Sequence, residues 1–298
     1  MSQVFSRKAV TFNASGIDLV GWLYQPTPLV TSPVIVMSHG YAAVKELYLS
    51  HFAEFFVATG FAVLVYDSRN CGESGGLPRG EIDPMQQVND ARDAITWLQL
   101  QPDIDPHRIG VWGSSFSGGH AIVLAALDKR VRCVVAQVPT MDGYESFLRR
   151  NPPHRIRQLR ETFVQDRIDR YQGHEPKRCV LIPEADSAGI YNGEDAVAFY
   201  ARSREFYPHW DNSVTLRSVE LASEYEPQSY IDRLGTIPVL MIVAEDDDVT
   251  PTDLALAAYA KIKGPKRLSL VAGGHFDLYV NHFDHASHEA CTWFKKHL

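Results

Sequence analysis

The chain has 298 residues, 45% of them apolar, and its 29 Lys and Arg against 36 Asp and Glu give a formal charge of −7. A chain this long buries a core without disulfide or metal staples, and the acidic balance argues against a general nucleic-acid binder, which is usually basic. No apolar run approaches the ~18 residues of a membrane span. No apolar segment follows Arg7 and Lys8 as a secretory signal requires. Cys71, Cys133, Cys179 and Cys291 form no CxxC pair, so neither a zinc knuckle nor a disulfide framework is expected. The expectation is a reduced, cytoplasmic protein with no metal or cofactor and no nucleic-acid or membrane partner. A homodimer stays open.

Val10–Phe12 and Ile17–Tyr24 read as a hairpin around Asn13-Ala14-Ser15-Gly16. Val34–Ser38, Ala62–Tyr66, Ile109–Trp112, Val131–Val138 and Val239–Val243 follow. These short, continuous Val- and Ile-rich runs read as strands covered on both faces. Helix-length segments lie between them. Glu46–Thr59 stops at Gly60, a C-cap residue, and Pro84–Leu100 stops before Pro102. Ser117–Leu127 and Asp253–Lys263 come next, then a last segment from about His282 to Lys296. The alternation predicts an α/β fold, a mostly parallel sheet flanked by helices.

Met141 to about Trp210 breaks the rhythm, with Cys179–Ile182 as its clear strand signal. Asp142–Lys177 is polar and helical in composition, interrupted at Pro152-Pro153 and Gly173. Met141–Pro183 holds nine basic residues against six acidic ones, a local +3. The stretch reads as a helical cap inserted over the sheet's C-terminal edge. Residues 1–140 and 211–298 are then the core, and 141–210 the cap.

The richest segment for chemistry is Gly113-Ser114-Ser115-Phe116-Ser117-Gly118-Gly119. A strand ends at Gly113 and a small-residue helix begins just after Ser115. A sharp strand-to-helix turn lifts a serine hydroxyl above the sheet and demands small neighbours two positions to either side. Ser117 stands where G-x-S-x-G has its last Gly. The literal motif lies elsewhere, at Gly72-Glu73-Ser74-Gly75-Gly76. No helix starts there, so Ser74 reads as loop chemistry. Cys71 has no basic partner placed beside it in sequence.

A serine needs a base, usually an imidazole held by a carboxylate. Leu268–Gly274 puts His275 just after a strand and two glycines, and Ile237–Ala244 puts Glu245, Asp246, Asp247 and Asp248 after an earlier strand. The order Ser, acid, His is that of one hydrolase architecture. His282, His285 and His288 are three apart on a presumed helix, but steps of three rotate around it, so they read as a polar face rather than a metal site.

At these residues the chain resembles the α/β-hydrolase superfamily over most of its length. The resemblance implies Asp247 as the triad acid, three residues after Ala244 and ahead of Pro251, with Asp246 and Asp248 as the register alternatives. It implies that His39-Gly40 is the family's His-Gly pair, so that the Tyr41 and Phe116 amides form the oxyanion hole and His39 joins the substrate-binding residues. It also implies that Asp67–Gly75 is a structural loop. Ser at the nucleophile position departs from the Asp of dehalogenases and epoxide hydrolases and the Cys of dienelactone hydrolases. The Arg69–Pro84 and Gly113–Gly119 segments resemble the polyketide transferase and thiohydrolase-like group of microbial secondary metabolism. The expected function is hydrolysis of a carboxylic ester, thioester or lactone through an acyl-Ser115 intermediate. The partner is a small-molecule acyl substrate, its anionic part paired with cap residues Arg155, Arg157 and Arg160. The alternatives are an acyl transferase using the same triad and a ligand-binding protein on the same scaffold.

Overall fold

The first two strands, β1 (Phe5–Ala14) and β2 (Ile17–Pro26), form the expected antiparallel hairpin. The computed structural model describes residues 5–184 and 188–298. The core continues with β3 (Ser32–Ser38), α1 (Leu49–Ala58), β4 (Ala62–Tyr66), α2 (Pro84–Gln99), β5 (Ile104–Ser114), α3 (Phe116–Leu127) and β6 (Val131–Gln137). The cap follows, with α4 (Gly143–Arg150), α5 (Pro153–Tyr171), β7 (Arg178–Val180), α6 (Glu194–Ala201), α7 (Ser203–Phe206), β8 (Ser213–Thr215) and α8 (Leu216–Ser223). The chain then returns through β9 (Val239–Ala244), α9 (Thr252–Lys261), β10 (Lys266–Val271) and α10 (Phe283–His297).

Eight strands form one sheet in the order β1-β2-β4-β3-β5-β6-β9-β10. All its pairs from β4 to β10 are parallel, and only β2 runs the other way, antiparallel to both β1 and β4. β4, β6 and β9 are buried nearly throughout, which is why they read as unbroken apolar runs. On β5, Gly110 meets Phe294 of α10 and Trp112 meets Phe52 of α1. Their two-residue spacing puts α1 and α10 on the same face. Gly118 of α3 sits against Pro139 beyond β6, and α2 packs with α3. No helix among the described residues is long and apolar enough to cross a membrane.

The cap's packing runs past residue 210. β8 pairs antiparallel with β7, and α8 packs on α4 and α5. Ser218 on α8 then ties cap to core, its hydroxyl accepting the Ile82 N–H at 2.8 Å. β5 also starts five residues earlier than its apolar run, because Asp105–Arg108 face outward.

Candidate active site

Ser115 lies between β5 and α3 with φ 61° and ψ −121°. This sparsely populated conformation costs ~1–3 kcal/mol and persists where surrounding structure enforces it. The enforcement is visible. Ser115 N–H donates to the Gln137 carbonyl at 2.9 Å, and the Ser115 carbonyl accepts from Gly118 and Thr140 amides. A Cβ at Gly113 would overlap the Ser117 carbonyl. Ser117 fills the motif's last position without strain. Its hydroxyl accepts Ser114 N–H at 2.9 Å and donates to the Ser38 carbonyl at 2.7 Å, joining the turn to β3.

Asp247 and His275 converge on Ser115 from the ends of β9 and β10. Ser115 Oγ lies 3.0 Å from His275 Nε2, and His275 Nδ1 lies 2.7 Å from Asp247 Oδ2. All three residues are buried. Asp247 Oδ1 accepts the Val249 and Thr250 amides, and the Thr250 hydroxyl reaches Oδ2 at 2.9 Å. The carboxylate is therefore held on both oxygens. Asp246 and Asp248 are exposed, and of the three consecutive Asp it is Asp247 that bonds His275. Thr250 carried no sequence signal.

The amides of Tyr41 and Phe116 flank the nucleophile, and neither has a hydrogen-bond partner among the described residues. Gly40 brings them close, since a Cβ there would lie 3.2 Å from Ser115 Cβ. The start of α3 adds the positive end of a helix dipole at the same point. The Tyr41 turn is pinned from the cap. Tyr200 of α6 donates to the Tyr41 carbonyl at 2.8 Å, and Trp210 Nε1 donates to the Ala42 carbonyl at 2.9 Å. Residues 194–210 carried no sequence signal for either contact.

His39 is not where substrate would meet it. Its Nδ1–H donates to the Gly40 carbonyl at 2.9 Å, and its Nε2 accepts the Ser68 amide at 3.0 Å. Both nitrogens are thus occupied by backbone, and burial lowers its pKa. His39 props the turn instead of lining a cavity, which corrects its expected substrate-binding role.

The Asp67 loop is also structural in placement. The buried Lys45 ammonium lies 2.8 Å from Asp67, 2.8 Å from Glu46 and 2.6 Å from Glu73. Burial works against that charge, but Asp67 above all holds the Lys45 pKa above its usual range. Ser74 is buried, donating to the Asp67 carbonyl at 2.6 Å and accepting the Val20 amide at 2.9 Å. Burial pushes the Cys71 thiol up to about 12, so it carries no thiolate near neutrality. His285 bonds Ser269 and His288 bonds the Asp284 carbonyl. The histidines of α10 therefore do not converge.

Two spaces lie near Ser115. Ser115 and His275 line a void of only about 10 Å³, walled by Phe199, Tyr200, Phe276 and Tyr279. Beside it, a cavity of about 380 Å³ runs under the cap, bounded by Tyr41, Phe116 and Thr250 from the core. That volume is in the range of small-molecule sites. Arg155 lines it, together with Arg150 and Arg178. Arg157 and Arg160 do not line it. Both are exposed, and Arg160 bonds the Tyr144 hydroxyl. The expected Arg155, Arg157 and Arg160 set is therefore corrected, because α5 turns only Arg155 of the three to the cavity.

The sequence profile of the X-Pro dipeptidyl-peptidase (S15) family matches residues 15–277. The chain is an α/β-hydrolase of the S15 family. Within reach of this S15-family chain are proteins with varied descriptions. A quorum-quenching protein, AidA of Acinetobacter baumannii, is 34% identical over 91% of this chain and 88% of its own. The thiohydrolase aneE of Aspergillus aculeatus is 35% identical, covering 85% and 80%. The crystal structure of the α/β-hydrolase GrgF from Penicillium sp. sh18 superposes with a TM-score of 0.86 at 27% identity, over 98% of this chain and 99% of that one.

Proposed function

We propose that this chain is a serine acyl hydrolase acting on a thioester, carboxylic ester or lactone through an acyl-Ser115 intermediate. His275 Nε2 takes the Ser115 proton as Oγ attacks the substrate carbonyl. Asp247 fixes the imidazole's tautomer and stabilises the imidazolium. The Tyr41 and Phe116 amides receive the oxyanion, where each donor contributes typically 10²–10³ in rate. His275 returns the proton to the leaving thiolate or alkoxide, and water, deprotonated by the same imidazole, releases the acid.

The observation that carries this reading is the hydrogen-bonded Ser115–His275–Asp247 chain on a strained turn flanked by two unpartnered amides. The thiohydrolase aneE supports a thioester substrate, and the polyketide transferase grgF supports a role in secondary, polyketide-type metabolism. Dipeptide removal is less well supported. A peptide amino terminus brings an ammonium, and no Asp or Glu lines the cavity among the described residues. The free cysteines fit a reducing, cytoplasmic setting.

Acyl transfer is the second reading. What supports it is a relative's name, the polyketide transferase grgF of Penicillium sp. The test is intact-mass analysis during turnover of an octanoyl thioester. A transient gain of one octanoyl group, absent from Ser115→Ala, is expected. Turnover with no adduct in either protein, even on rapid acid quench, argues against the covalent route. Added alcohol that diverts product from acid to ester favours transfer.

A further inference from the structure

The cavity under the cap has a chemistry that the triad leaves unused. Of the eight arginines from Arg149 to Arg178, four are matched by a carboxylate: Arg149 with Asp253 at 2.6 Å, Arg167 with Glu220 at 2.8 Å, Arg170 with Asp166 at 2.8 Å and Arg178 with Asp211 at 2.6 Å. Arg150 and Arg155, both lining the cavity, have no such partner among the described residues. Arg150 uses Nε on the Ser146 carbonyl at 3.1 Å and lays its guanidinium over the Tyr191 ring at 5.5 Å. Its remaining donors have no acceptor among the described residues. Arg155, half-buried on α5, has no hydrogen-bond acceptor among the described residues.

Like charges beside an apolar cavity repel and are poorly solvated, so they favour an anionic guest. The wall between them and the nucleophile is aromatic. Tyr191 stacks on Tyr200 at 6.0 Å and 9°, and meets Tyr41 edge-on at 6.4 Å. An apolar span therefore separates the guanidinium groups from the Tyr41 amide.

We infer that this cavity receives an acyl substrate with a carboxylate remote from the scissile bond, and that Arg150 and Arg155 are its counter-ions. The inference rests on the acyl-hydrolase reading and names its substrate class. The carboxylate enters either on the acyl chain or on the leaving group, and both present the same fork to a guanidinium.

The test uses matched pairs. On the acyl side, p-nitrophenyl hydrogen suberate is compared with p-nitrophenyl octanoate. On the leaving-group side, the octanoyl thioester of 3-mercaptopropionate is compared with that of propanethiol. Dissociation constants are read by calorimetry on Ser115→Ala, which binds without turnover, and KM on the wild type. In one arm the anionic member should bind at least about tenfold more tightly. Arg150→Gln/Arg155→Gln should abolish that preference, and each single variant should reduce it. The single variants carry the test if the double variant melts early. Equal affinity for the neutral member in both arms overturns the inference, as does a preference that survives loss of both arginines. Because the calorimetric arm needs no chemistry, failure of the acyl-enzyme mechanism would leave this result readable.

Discussion

Two serines in this chain sit in glycine-rich motifs, and the less orthodox one holds the geometry for chemistry. Gly72–Gly76 spells G-x-S-x-G, yet Ser74 is buried and spends its hydroxyl on two backbone groups. Gly113–Ser117 ends in Ser, yet Ser115 stands at a strained turn, 3.0 Å from an imidazole. The first motif is followed by a loop and the second by α3. What comes after the motif, a helix whose first amide is left free, separates a nucleophile from a brace.

The sharpest way to break this contrast is to remove each hydroxyl. Ser115→Ala should lower kcat for p-nitrophenyl esters by about 10⁴-fold or more with little change in melting temperature. Ser74→Ala should keep activity in the folded protein but cost ~1–3 kcal/mol, because the buried Asp67 carbonyl and Val20 amide lose their partner. Kinetics and denaturant melts read both. A dead but stable Ser74→Ala would reverse the assignment.

The acid extends the comparison. Asp247→Asn should cost about 10⁴ in kcat by favouring the wrong imidazole tautomer. The exposed Asp246 and Asp248 should tolerate the same change with nearly full kcat. A comparable loss at either neighbour would shift the register by one.

The elbow and the His loop were legible because each follows an apolar strand at the sheet's carboxyl edge, where side chains must project from the layer. The order of the elements was legible too, since β4, β6 and β9 are covered on both faces. The cap was not. α5 buries only Phe163 and Asp166 fully, so its sequence has no strong stripe to show which arginines turn inward. His39 carried the right letters for a site, but its ring is consumed by the Gly40 and Ser68 backbone. β8 and α8 fall within residues 211–298, which read as core, and the β7 pairing together with the packing of α8 on α4 and α5 puts them with the cap.

The cap's hold on the oxyanion turn gives a smaller effect. Tyr200→Phe removes the hydroxyl that bonds the Tyr41 carbonyl. It should lower kcat roughly tenfold, part of what a lost oxyanion donor costs, with KM for small esters nearly unchanged. Stopped-flow and steady-state rates separate the two. A pure KM effect would make Tyr200 a substrate contact instead.

A different kind of effect, on stability rather than rate, concerns pH. Burial pushes His120 down to about 3 and also lowers His39. His120 stays neutral between the Gln87 side chain and the Tyr225 hydroxyl. The unfolded chain protonates these imidazoles below about 6.5, while the folded one resists. Stability should therefore fall as pH drops below about 6.5, by up to about 1.4 kcal/mol per unit for each group that stays neutral, which for His120 extends toward 3. His120→Gln should flatten that slope in melts between pH 7 and 4.5. An unchanged slope would remove His120 from the account.

The most direct measurement is labelling with a fluorophosphonate, which traps an activated serine, followed by mass mapping of the modified peptide. The account predicts a single phosphonylated residue, Ser115, with labelling slowed strongly by His275→Ala. Modification at Ser74, or none at Ser115 in folded protein, would contradict it.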